Sequence, residues 1–88
     1  MAKIEKKVVP PFFDDIKSGR KNFEVRLNGF RCKAGDTLLL REWDPKKKEY
    51  TGRFTERKVS YILKTKSIEK FWSKAEVAKF GLQVIGFK

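Results

Sequence analysis

Histidine is absent from these 88 residues, and cysteine occurs once, as Cys32. Without an imidazole to relay the proton, the Ser-His-Asp and Cys-His nucleophile arrangements cannot be assembled. The same absence, together with a lone cysteine, removes the usual zinc ligand sets and any internal disulfide, so neither a metal nor a cofactor is expected. Long apolar runs are missing too. No stretch approaches the roughly 20 residues of a membrane span, and Met1 to Val9 lacks the apolar core of a signal peptide. The chain therefore reads as cytoplasmic, with no membrane partner. The six glycines never fall into the spacing of a phosphate-binding loop. Repeats, linkers and low-complexity tracts are also absent, so residues 1–88 read as one domain.

Positive charge is what the chain has in excess. Its 22 Lys and Arg against 11 Asp and Glu leave a net charge of +11, with an isoelectric point near 10.0. Such a field draws polyanions, nucleic acid before acidic protein. The charged residues are interleaved with eight Phe, two Trp and two Tyr, enough large apolar side chains to favour a packed core over disorder.

Periodicity divides the chain into seven elements. Lys3 to Val9 is compatible with a strand and ends at Pro10-Pro11. Pro11 to Ser18 predicts a short helix, with Phe12, Phe13 and Ile16 on one face, Asp14 and Asp15 near its start, and Gly19 as its stop. Lys21 to Leu27 alternates, placing Phe23, Val25 and Leu27 opposite Asn22, Glu24 and Arg26. Asn28-Gly29 and Ala34-Gly35-Asp36 are turn signals. Asp36 to Trp43 contains Leu38-Leu39-Leu40, apolar on both faces, and so predicts a central strand. A polar loop from Asp44-Pro45 to Thr51-Gly52 separates it from a long strand, Arg53 to Leu63. Ser67 is the expected cap of a last helix with the apolar stripe Ile68, Phe71, Trp72, Ala75 and Ala78. Leu82 to Phe87 is the expected closing strand. The order β-α-β-β-β-α-β, mainly β and rich in aromatics, predicts an α+β protein with a small five-stranded barrel.

Gly19-Arg20-Lys21-Asn22-Phe23-Glu24-Val25-Arg26 resembles the G-x-K-x-x-E-x-R signature of ASCH domains in the PUA-like superfamily. Gly35-Asp36-Thr37-Leu38-Leu39-Leu40-Arg41-Glu42-Trp43-Asp44-Pro45, followed by Tyr50-Thr51-Gly52-Arg53, is similar to the small bacterial and phage family called domain of unknown function 3850. Val59 to Leu63 and Val84 to Phe87 fit its later strands, while Thr65 to Lys79 is less typical and reads as an inserted helix. The resemblance implies a five-stranded pseudo-barrel with a cleft between the first helix and the strand after it. It also implies RNA as partner.

The candidate cleft residues are Lys21, Glu24 and Arg26. Arg26 offers a planar fork for a phosphate or base edge, Lys21 a point charge, and Glu24 a carboxylate that orients one of them. Strict alternation sets Lys21 on the opposite face, so it joins the pair only where the strand starts later or bulges. The bland alternative is a solvated strand face with an ordinary ion pair. Arg20, Arg41, Lys46, Lys47, Lys48, Tyr50 and Arg53 form the expected basic and aromatic surround, with Arg57 and Lys58 extending it. Lys66, Lys70 and Lys74 recur every four residues as a basic stripe on the last helix. Trp43 and Trp72 are expected in the core, and Tyr50 stands between core and interface.

The expected function is a monomeric nucleic-acid-binding module, with RNA ahead of DNA. Two other readings stay open. One is a phage-type module that engages a host protein. The other is a hydrolase of modified nucleosides or small amides, suggested by a PUA-like amidohydrolase with a similar G-R-K start and a Lys, Thr and Glu set. Lys21 matches its lysine, but Glu24 stands at the threonine position, so the hydroxyl nucleophile is missing there.

Overall fold

Alternation along the first strand decides which side is covered. In β1, Lys3–Val8, the side chains of Ile4, Lys6 and Val8 turn inward, while Lys3, Glu5 and Lys7 stay exposed. The computed structural model describes residues 1–67 and 69–87. After β1 come helix α1 (Phe12–Lys17), β2 (Thr37–Asp44), β3 (Glu49–Lys58), two 3-10 turns at Thr65–Ser67 and Glu69–Phe71, and helix α2 (Lys74–Phe80). The protein is α+β, mainly β, and its strands form a mixed sheet in the order β1-β2-β3.

β2 lies in the middle, as the leucine run requires. It pairs parallel with β1, Ile4 opposite Leu38 and Lys6 opposite Leu40, and antiparallel with β3, Leu40 opposite Thr55. A parallel neighbour needs a crossover, which α1 and residues 18–36 supply. α1 sits over one face of the sheet. Its Phe13 and Ile16 pack with Val8 and Leu40 into the core, and Leu38 packs against them. The Arg57 guanidinium, reaching up from β3, donates to the carbonyl of Ile16. The opposite face stays open, with Lys3, Glu5, Phe54 and Glu56 all exposed.

The hairpin between β2 and β3 is tighter than its sequence suggests. Asp44 Oδ1 accepts the backbone N–H groups of Lys46 (2.9 Å) and Lys47 (3.2 Å), an Asx turn that reverses the chain within Pro45 to Lys48. β3 therefore starts at Glu49, not at Arg53, and ends at Lys58, not at Leu63. Thr51, Gly52 and Arg53 bulge opposite Glu42, with Gly52 at φ 96°.

Five further expectations are corrected. Lys21 to Leu27 forms no strand. Arg26 Nη2 donates to the carbonyl of Lys7 at 2.5 Å, so a side chain takes an acceptor that an added strand would need. Leu82 to Phe87 is likewise without strand structure, so the described sheet has three strands where five are expected. The last helix begins at Ser73, not Ser67. Ser73 accepts the N–H of Glu76 at 3.1 Å and Glu76 accepts that of Ser73 at 2.9 Å, a complete capping box. Lys66, Lys70 and Lys74 consequently fall on three separate elements and form no continuous stripe. Trp72 is 46% exposed rather than core. Ile68 lies outside the described residues.

Asp36, at the mouth of β2, is the buried polar anchor of the amino end. Its carboxylate accepts the N–H of Ala2 (2.9 Å) and of Lys33 (3.1 Å). These bonds, Ala2's foremost, hold its pKa below the usual carboxylate value against the opposing effect of burial. The stability this adds is present above the unfolded value near 3.9 and is lost as pH falls through the lowered folded value. Urea midpoints of the parent and of Asp36→Ala should therefore differ at neutral pH and converge as the pH drops below about 4. Leu40→Ala, at a side chain only 1% exposed, is expected to cost about 2–5 kcal/mol in the same assay.

Candidate functional site

Gly19, at φ 83°, turns the chain back after α1. The N–H of Lys21 then donates to the Asp15 carbonyl (2.8 Å), and Asn22 Nδ2 donates to the Gly19 carbonyl (2.9 Å). These bonds fix the start of residues 21–27 outside strand geometry. The parity that would separate Lys21 from its partners therefore does not apply. Lys21 Nζ lies 3.4 Å from Glu24 Oε1, and Arg26 Nε donates to Glu24 Oε2 at 2.7 Å. Arg26 Nη2 anchors the group to β1 through the Lys7 carbonyl. The rings of Phe12 and Phe23 stand 4.8 and 5.4 Å from Lys21 Nζ. All three charged side chains are partly withdrawn from water, and Glu24, at 15% exposure, is the most enclosed. Two cations share one carboxylate, so the cluster keeps a surplus of one positive charge.

A second polar cluster lies beneath α1 and joins Arg53 to Glu42, Thr51 and Asp14. Glu42 is buried. It accepts the Thr51 hydroxyl at 2.7 Å and stands 3.5 Å from Arg53 Nη1. Arg53 Nη2 donates to Asp14 Oδ1 at 2.5 Å, a bond that holds the guanidinium more firmly in its protonated form. Asp14 is thus an ion-pair partner across to β3 as well as a helix-start acid. The signal for Glu42 was in its parity. It shares a face with Leu38 and Leu40, and an acid on the buried face of a central strand needs partners.

The remaining expected residues separate into two places. On the open face, Arg41 pairs with Glu5 at 3.1 Å and lies over the Tyr50 ring at 3.7 Å. Tyr50 meets Trp43 edge-on with centroids 5.0 Å apart, and Lys7 Nζ sits 3.8 Å over Trp43. Lys46, Lys47 and Lys48 project from the exposed turn beside that pair. Arg20, beyond α1, pairs with Asp15 at 2.6 Å and borders an open hollow of about 480 Å³ with Asp14, Ser18 and Gly19. Arg53 and Arg57 turn to the α1 side, and Arg57 and Lys58 lie at the far end of β3, about 30 Å from the lysine turn at some 3.4 Å per residue. The single basic patch expected from Lys46 through Lys58 is not formed.

A family model described as Domain of unknown function (DUF3850) matches residues 4–73, which includes every residue of both clusters and leaves α2 outside. No curated protein matches the chain. Arg26→Ala should release residues 22–27 from β1. Limited proteolysis within that stretch is expected to accelerate while β2 remains intact. Thr51→Val strips Glu42 of its shortest bond and should cost about 1–3 kcal/mol in urea unfolding.

Proposed function

The chain belongs to the DUF3850 family, and we propose that it is a nucleic-acid-binding module that holds RNA at the cluster of Lys21, Glu24 and Arg26. The observation that carries this reading is the convergence of those three residues into one half-buried, net-positive group on a chain of net charge +11. Glu24 orients both cations without cancelling them. Because Nε and Nη2 of Arg26 are engaged, an incoming phosphate meets its Nη1 edge together with the Lys21 ammonium. Arg20 and the hollow beside it extend the contact, and the field of the remaining lysines speeds encounter.

We read the fold behind this site as the PUA-like, ASCH type, a pseudo-barrel whose wall residues 21–27 and 82–87 complete as segments outside the hydrogen-bonded ladder of the three described strands. Two observations support it. The run from Gly19 to Arg26 matches the ASCH signature. The Phe23 ring also lies 3.1 Å from where a Cβ on Gly86 would stand, so the two segments meet.

The exposed apolar side chains of the carboxyl-terminal part, Phe71, Phe80, Ile85 and Phe87 among them, favour a second reading as a protein-binding module. Fluorescence anisotropy with single- and double-stranded RNA and DNA, at low and physiological salt, separates the two. RNA-selective binding that persists at physiological salt, and falls about tenfold or more in a folded Arg26→Ala variant, is the expected result. Unselective binding that vanishes with salt would move the protein-binding reading ahead. Unchanged RNA affinity in Arg26→Ala would remove the site.

A further inference from the structure

We propose that the open face of the sheet, opposite α1, is a stacking platform for unpaired bases, centred on Phe54, Tyr50 and Trp43. The proposal rests on the nucleic-acid reading above and specifies its ligand: a single strand, not a duplex.

Phe54 is 59% exposed in the middle of β3, directly opposite Arg41 of β2. The bulge at Thr51 to Arg53 restores the parity, so that Tyr50, opposite Trp43, emerges on the same face. Three aromatic rings thus share a surface that α1 does not cover. Two cations flank them: Arg41 over Tyr50 at 3.7 Å and Lys7 over Trp43 at 3.8 Å. Such contacts hold the rings in place and set positive charge within a ring's width of the surface. The acids of the face are already engaged, Glu5 by Arg41 at 3.1 Å and Glu56 by Lys3 at 2.7 Å. Lys46, Lys47 and Lys48 extend the cationic border at the hairpin turn.

An exposed phenyl ring with Arg41 opposite it on the neighbouring strand suits a flat partner that carries negative charge along its margin. An unpaired nucleotide has that form, with a base to stack and a phosphate to meet Arg41 or Lys7. In a duplex the base faces are hidden by stacking, so the platform discriminates by strand state.

The test compares three probes at physiological salt: a 12-nucleotide single-stranded RNA, the same length of duplex RNA, and an abasic ribose-phosphate strand. The parent protein is expected to favour the base-bearing single strand over the abasic one by about tenfold or more. Phe54→Ala and Phe54→Leu should both lose that preference while binding the abasic strand unchanged, since leucine keeps apolar bulk without the ring. Retention of the full preference in folded Phe54→Ala and Tyr50→Ala variants would overturn the platform and leave the nucleic-acid reading standing. Equal affinity for the RNA, the abasic strand and a polyglutamate peptide would overturn it in favour of an acidic protein. No binding of any nucleic acid by the parent would remove both.

Discussion

Three consecutive leucines in a strand cannot all face the same way, and that constraint organises the molecule. Leu38 and Leu40 point to one side of β2 and Leu39 to the other, so β2 must be flanked by β1 and β3 and one of its faces must be roofed. The roof is α1, whose Phe13 is fully buried against Leu40. Everything near the candidate cluster follows from the position of that short helix. It brings Asp14 within reach of Arg53, and its end at Ser18 and Gly19 aims the next residues at the edge of β1. There Arg26 closes on the Lys7 carbonyl and draws Glu24 and Lys21 with it.

The acids of the sheet and cleft give the basic surface its structure. Asp14, Asp15, Glu5, Glu24, Glu42 and Glu56 each hold an arginine or lysine in a defined direction. The exposed pairs among them, such as Lys3 with Glu56 and Arg41 with Glu5, add little stability, about 0–1 kcal/mol each. What they contribute is orientation. Arg26 is set at the cleft, Arg53 beneath α1, and Arg41 on the open face. Lys46 and Lys47, whose backbone N–H groups donate to Asp44, and Lys48 beside them supply field without direction.

Much of the sheet was legible beforehand because it follows local rules. The leucine run marked the central strand, Gly19 marked the end of α1, and Phe13 and Ile16 marked its buried face. The capping box at Ser73 and Glu76 is equally local, a serine followed three residues later by a glutamate. The start of β3 at Glu49 was harder to read, since it depends on how Asp44 folds the turn over its own backbone. The site divides in the same way. Lys21, Glu24 and Arg26 stood together in one motif, whereas Glu42, Thr51, Arg53 and Asp14 come from α1, β2 and β3 and meet through packing.

By itself the sequence determined the charge of the surface, the absence of histidine chemistry, the central strand and the face of α1 that is buried. These depend on composition and on periods of 2 and 3.6 residues, which act within a few positions of the chain. Tertiary structure decided whether Lys21 to Leu27 would be strand or cluster. Its alternating pattern suits a strand, but pairing needs free acceptors on a neighbour, and the Arg26 side chain occupies the Lys7 carbonyl. That competition between a backbone ladder and a guanidinium is settled across 19 positions of chain, a distance at which no local period carries information.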